Sequence, residues 1–210
     1  MTAYVSSNDI KTYLGIPAED TSHDARLAVL VVAVSRAIDS YCRRRFDLRT
    51  ETRVYHRPYW GDTLWLDDDL HSLTDMVNGD DRSIPIAQAV LLPSAGPPYR
   101  WIRLRGSERF MQMRDQPGIR VTGVWGYQTP IAQELVRQAA RVWVTQLHAQ
   151  AADVGVVSKT LGDFSVAYKE SVTAQPDMSG GIALRPPLEV ALLLDGLRRR
   201  DIGVIGTDAS

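Results

Sequence analysis

Residues 119–152 read IRVTGVWGYQTPIAQELVRQAARVWVTQLHAQAA. Over Ile119–Trp125 apolar and polar residues alternate, the pattern of a strand with one half-buried face and one face toward solvent or a partner. At Thr129 the period changes. The Thr129 hydroxyl is placed to cap a helix and Pro130 suits its first turn, since proline lacks only an N–H that has no partner there. Ile131, Leu135, Ala139, Val142 and Leu147 make the expected core stripe, Val136, Trp143 and Val144 widen it, and the helix is expected to run to about Ala152. A strand feeding a long helix points to an α+β chain.

Upstream, two helices are expected. Ser7, Asn8 or Asp9 can cap the first, and Gly15 with Pro17 stops it. The second is expected from Thr21 or Ser22 to about Arg45, because Leu27, Leu30, Val31, Val34, Ile38, Tyr41 and Cys42 recur at helical steps, with Asp39 and Arg43 spaced for an intrahelical pair. Between Arg49 and Tyr127 short β-prone runs take over: Thr50–His56, Thr63–Leu66, Leu73–Val77, Ala89–Leu92, Trp101–Leu104 and Ile119–Trp125. Asn78-Gly79-Asp80, Gly96-Pro97-Pro98 and Pro117-Gly118 punctuate them as turns. Downstream, Val156–Lys169 reads as a hairpin about Gly162-Asp163, with Phe164, Val166 and Tyr168 on one face, then a loop over Ser171–Ile182. Pro186-Pro187 introduces a last helix from Leu188 to about Arg200.

The expected architecture is α+β: a bundle of three to four helices with an inserted small antiparallel β module and a projecting C-terminal hairpin. The expected division is a helical core over 1–48 plus 129–153, a β-rich insertion over 49–128, and a partner-contacting arm over 154–210.

Of 210 residues, 44% are hydrophobic and the net charge is -1, proportions of a globular chain. No apolar run approaches the ~20 residues of a membrane helix, and the first residues show no apolar signal segment, so the expectation is a soluble chain made in the cytoplasm. Cys42 is the only cysteine, which excludes an intrachain disulfide and a cysteine-based zinc cluster. The charge is unevenly spread: residues 51–80 sum to -5 and residues 81–128 to +4. Of the 24 basic residues, 21 are arginine, which suits planar, bidentate contacts at interfaces.

No phosphate-binding loop, nucleophile elbow or paired-histidine metal motif is present. Asp67, Asp68 and Asp69 with His71 form the one cluster resembling a metal site, but three adjacent residues of a β or turn segment cannot all face one ion, and a solvated acidic turn is expected instead. Arg43-Arg44-Arg45 and Arg198-Arg199-Arg200 are each expected to close a helix, where cations meet the negative end of the helix dipole, or to contact acidic protein or DNA phosphate.

The order of these segments resembles the head-tail connector, or adaptor, proteins of long-tailed double-stranded DNA bacteriophages. It is carried by YLGIP at Tyr13–Pro17, AIDSYCRRRF at Ala37–Phe46, VTGVWGY at Val121–Tyr127 leading into TPIAQELVRQAARVW, VVSKTLGDFSVAY at Val156–Tyr168, and the closing PPLEVALLLDGLRRR. The long β stretch departs from the smaller, mostly helical members. The resemblance implies a virion protein of the neck, between capsid and tail, made in the host cytoplasm. It implies a ring of twelve copies beneath the portal protein, extending the DNA channel without reading its sequence and offering a platform to a head-completion (stopper) or tail-terminator protein. It implies no catalysis, no cofactor, no metal and no membrane.

A ring joins one patch to a different patch on the next copy, so the -5 block is expected to face the +4 block of a neighbour, with Asp67, Asp68, Asp69, Arg103 and Arg105 in contact. Phe164, Val166 and Tyr168 of the hairpin and the two arginine triplets are further candidates for a neighbour or the portal. Two alternatives stand beside this reading: a DNA-binding regulator of helix-turn-helix type built on the first helices, and, behind it, a metal-dependent hydrolase using Asp67–Asp69.

Overall fold

The computed structural model describes residues 3–56, 58, 61–111, 118–152, 158–161, 164–167, 175–176 and 182–199. The chain is an α+β protein of two compact units, one comprising Met1–Arg43 with Glu134–Ser210 and the other Arg44–Gln133.

The first unit is mainly helical. Helix α1 spans Ser7–Leu14. Its cap is Ser6, one residue earlier than the candidates Ser7, Asn8 and Asp9, and Asp9 instead closes a capping box: Ser6 Oγ accepts from the Asp9 N–H at 3.1 Å, and Asp9 Oδ2 accepts from the Ser6 N–H at 2.9 Å. Gly15 ends the helix at φ 70, a left-handed conformation that glycine adopts without steric cost. Helix α2 spans Asp24–Cys42 and buries Leu27, Val31, Val34, Ala37, Ile38 and Cys42. Lys11 is buried and ties the two helices, its Nζ lying 2.7 Å from Asp24 and 3.0 Å from the Ala18 carbonyl.

Helix α3 spans Pro130–Ala152, and the Thr129 hydroxyl accepts from the Ala132 N–H at 3.1 Å, so its start lies where the Thr-Pro pair places it. Its buried side differs from the expected stripe. Ala132, Val136, Ala139, Ala140, Trp143 and Val144 are buried, while Ile131 is 74% exposed. A helix with apolar side chains on most of its circumference carries no single phase, and packing selected the face containing Trp143.

The second unit is a five-stranded antiparallel sheet: β1 (Arg49–Tyr55), β2 (Thr63–Val77), β3 (Ala89–Leu92), β4 (Tyr99–Leu104) and β5 (Ile119–Trp125), in the order β1-β5-β2-β4-β3. Strand β2 changes neighbour midway: residues 63–70 pair with β4 and residues 70–77 with β5, through register shifts around Leu70. This overturns the expectation of two short strands about a solvated acidic turn. Asp67–Asp69 lie inside one 15-residue strand. The core beneath the sheet is built from Leu64, Leu66, Leu70, Ile102, Val121 and Trp125, among others. Strand β5 alternates as expected, with Ile119, Val121, Gly123 and Trp125 buried.

Toward the C-terminus β6 (Ser158–Leu161) pairs antiparallel with β7 (Phe164–Ala167), from Ser158 opposite Ala167 to Leu161 opposite Phe164. The expected turn at Gly162-Asp163 lies outside the described residues. Within the expected loop, β8 (Gln175–Pro176) pairs with β9 (Ile182–Ala183). Helix α4 covers Leu188–Leu194 and tightens to a 3₁₀ turn over Asp195–Leu197, so it stops short of Arg200 and leaves Arg198 in extended backbone.

Candidate functional site

The described surface offers no reaction centre. A shallow groove of about 520 Å³ is lined by Ala3–Ser7, Asp9, Arg137 and the Ala28, Val31 and Val32 face of α2, and the Ser6 hydroxyl and Asp9 carboxylate in it are committed to the cap of α1. Among the described residues no group of three His, Cys, Asp or Glu side chains is arranged to hold a metal ion. No helix among them is long and apolar enough to cross a membrane.

Charged groups gather instead into two clusters within the sheet unit. In the first, Arg44 Nε lies 3.1 Å from Asp69 Oδ2, an ion pair at contact distance with side chains only 6% and 0% exposed. The Arg44 guanidinium lies over the Tyr127 ring, 4.2 Å from its centroid, and Arg100 Nε stands 4.0 Å from Asp69 Oδ1. Backbone bonds close the same region: the Gly126 N–H donates to the Asp69 carbonyl at 2.8 Å and the Tyr127 N–H to the Arg45 carbonyl at 2.7 Å. Arg44 therefore does not serve the dipole of α2, which ended at Cys42; Arg43, at φ 51, turns the chain away from the helix.

In the second cluster Arg53, on β1, reaches three carboxylates: Asp67 at 3.1 Å, Asp68 at 2.9 Å and Glu51 at 3.1 Å. Its guanidinium also covers Trp125, 4.4 Å from the ring centroid. Burial opposes the charge of Arg53, but Asp68 and Asp67 outweigh it and hold its pKa above the ordinary arginine value. The Tyr55 hydroxyl donates to Asp67 at 2.5 Å; burial first and this bond second push the phenol well up. At Asp67 burial raises the pKa, yet the Tyr55 hydroxyl and Arg53 prevail and lower it. Such a network stabilises charge and offers no proton near neutral pH for chemistry.

The candidate contact residues thus separate. Asp68 and Asp69 are buried on arginines of their own chain, whereas Asp67 remains 68% exposed at its side chain while pairing with Arg53. Glu51 pairs with Arg49 and Arg53, so part of the -5 block is neutralised within the chain. Arg43 is exposed at the end of α2 and Arg45 is half-buried. Arg103 and Arg105 are exposed, and among the described residues neither forms an ion pair. Arg198 lies over the Tyr41 ring at 4.8 Å, and the Arg199 N–H caps the Cys42 carbonyl at 2.8 Å, so these two fasten the C-terminal turn to the end of α2. Arg198 also caps the 3₁₀ turn that ends the helix, its N–H donating to the Asp195 carbonyl at 3.3 Å, and Arg199 lies beyond it. Phe164 and Val166 stand opposite Leu161 and Lys159 in the β6–β7 pair; Tyr168 and Arg200 lie outside the described residues.

Residues that the sequence reading passed over also stand out. Trp65 and Trp101 are directly paired across β2 and β4 with ring centroids 4.9 Å apart, and Trp65 is 51% exposed. The same register puts Thr63 and Val90 beside Arg103, and Leu92 beside Trp101, on that outer face. The signal was present as tryptophans at alternating strand positions, but exposure cannot be read from alternation alone.

No protein-family model matches the chain, and no curated protein matches it. Solved structures do. The chain is similar to one from the neck of an empty gene transfer agent (GTA) particle computed with C6 symmetry, at TM-score 0.54 and 18% identity over 97% of this chain and 96% of that one. A chain from the virion of a native gene transfer agent particle matches at TM-score 0.57 and 17% identity, covering 95% and 92%. A chain from the neck of the native particle computed with C12 symmetry matches at TM-score 0.57 and 15% identity, covering 93% and 90%. At these identities the likeness is one of fold, and it extends over nearly the whole chain.

Proposed function

We propose that the chain is a structural protein of the neck of a phage-like particle, a head-to-tail connector that assembles as a homo-oligomeric ring between capsid and tail. The observation that supports this most is the end-to-end similarity of fold to chains from gene transfer agent necks, solved with sixfold and twelvefold symmetry. A match over 97% of the chain includes the β insertion, the part that departs from the smaller helical connectors. On this reading twelve copies sit beneath the portal, extend the DNA channel without reading its sequence, and present a platform to a stopper or tail-terminator protein. The charged clusters serve rigidity rather than catalysis, as a mechanical adaptor requires, and the protein uses no cofactor.

The regulator alternative meets a specific obstacle. The exposed positions of α2 before Arg43 are Ala25, Ala28, Val29, Val32, Ala33 and Ser40, which give no cation to a phosphate and no fork of donors to a base edge. The hydrolase alternative loses its carboxylates to Arg53 and Arg44.

The test is size-exclusion chromatography with light scattering on the chain, alone and mixed with the portal protein of the same particle. A discrete large ring, or a stoichiometric complex with the portal, is the expected result. A monomer that ignores the portal and shifts DNA in a gel with a steep salt dependence would instead establish the regulator.

A further inference from the structure

We infer that the outer face formed by Trp65, Trp101 and Arg103 is one half of the contact between copies, and that its occupant is the α4 face of a second copy, entering with Leu188 and Leu192. The inference rests on the ring reading and deepens it.

A closed ring requires two different patches on one chain, each complementary to the other. The first patch has the composition of a binding hot spot: a tryptophan pair in tilted contact, half exposed at Trp65, bordered by Arg103 and Arg105, which have no ion-pair partner among the described residues. Val90 and Leu92 continue it toward the sheet edge. The second patch is the solvent side of α4, where Leu188 is 76% and Leu192 72% exposed, one helical turn apart. Two leucines exposed on one face of a short helix form an apolar patch that a partner can cover. Charges of both signs flank them: Glu189 is exposed and accepts from the Gln146 amide at 3.3 Å, Arg185 is exposed, and Asp195 is paired with Arg198 at 3.6 Å, which leaves Glu189 as the acidic group open to a partner.

Both patches are apolar at their centres, both belong to this chain, and Arg103 at the border of one has its opposite charge in Glu189 at the border of the other. The apolar face of α2 at Val29 and Val32 is also exposed, but Val32 borders a groove that holds both Asp9 and Arg137, which offers an occupant no single sign of charge. The pairing also shifts the expected acidic partner of Arg103 from the 51–80 block, whose Glu51, Asp67, Asp68 and Asp69 are engaged internally, to the C-terminal helix.

The experiment uses the full chain, with native mass spectrometry to read oligomer mass and circular dichroism to verify folding. Arg103→Glu and Trp65→Ser are each expected to weaken assembly at least about tenfold, the scale of a lost hot-spot contact. Adding Glu189→Lys to Arg103→Glu is expected to restore it. In an independent arm, Arg103→Cys combined with Glu189→Cys is expected to give a ladder of intermolecular disulfides on mild oxidation, and each single cysteine variant no more than a dimer. Rings that persist in both weakening variants and yield no ladder overturn this inference alone. A folded wild-type chain that stays monomeric, with and without portal, overturns the ring reading and this inference with it.

Discussion

Arg44 and Asp69 meet at 3.1 Å in a site closed to water, although one follows the end of α2 and the other lies in the middle of β2. The pair joins the entry of the sheet unit to the point where β2 changes partners. Removing Arg44 would leave the buried Asp69 carboxylate without its contact ion pair, with Arg100 Nε 4.0 Å away. We expect Arg44→Met to lose about 3–5 kcal/mol of unfolding free energy in urea titration, with Arg44→Met/Asp69→Leu recovering much of it because no buried charge remains. A loss below about 1 kcal/mol for the single variant, in the range of a surface pair, would show that the site is open to solvent.

Gly123 pairs with Leu73 of β2, beside the register shift between Leu73 and Asp75. A Cβ there would stand 2.3 Å from the Ser72 carbonyl oxygen and 2.9 Å from Leu70 Cδ1, and the Ser72 backbone, held in the sheet, cannot yield. Gly123→Ala is expected to be insoluble or to lose more than about 3 kcal/mol, the upper range for point variants. Thr122→Ala, one residue away, removes only the exposed hydroxyl bond to Thr52 and is expected to cost about 1 kcal/mol or less. Equal stabilities in thermal melts would refute the close approach.

His148 packs edge-on against His23 with ring centroids 5.0 Å apart, and Arg26 donates to its backbone carbonyl at 3.3 Å. Burial first, then Arg26 and His23, hold its pKa below the ordinary 6.5. The unfolded chain therefore takes up a proton before the folded chain does, and stability falls as pH drops below 6.5 until the folded group also titrates. His148→Gln is expected to flatten the stability profile between about pH 7 and 5. An unchanged slope in that window would assign it to another group.

Asp67 has the reverse dependence. Its folded pKa lies below the model-peptide value of 3.8, so its contribution is complete above that value and disappears as pH falls through the lower folded pKa. Asp67→Asn is expected to shallow the acid-denaturation limb below pH 4 and leave the neutral range nearly untouched. Acid titration followed by circular dichroism reads the difference, and a parallel shift at every pH would indicate a packing role instead.

Helix ends and the last strand were legible because their signals are local. Thr129 with Pro130, Gly15 with Pro17, and the alternation of Ile119–Trp125 each act within a few residues. Strand β2 was illegible because its middle is three aspartates, which read as a turn until their neutralising partners are known. Arg53 precedes Asp67 by 14 positions and Arg44 precedes Asp69 by 25, too far for any local pattern. The buried side of α3 was misjudged for a related reason, since Ile131 and Val136 are equally apolar and only tertiary packing distinguishes them. At the candidate contacts, sequence marked Arg103 and Arg105, which the structure leaves exposed. It also marked Asp69, which the structure buries, and it missed Trp65 and Trp101 beside Arg103.

The strand order has a consequence for the chain during its own synthesis. Among the described residues strand β1 pairs with β5 alone, and the pairing runs from Tyr55 with Ile119, 64 positions apart, to Arg49 with Trp125, 76 positions apart. At about 5–20 residues per second, a ribosome leaves β1 without its partner for roughly 3–15 s. Its side chains suit that wait: Arg49, Thr50, Glu51, Thr52 and Arg53 make the nascent strand polar and charged, a poor template for pairing with another chain on a crowded polysome.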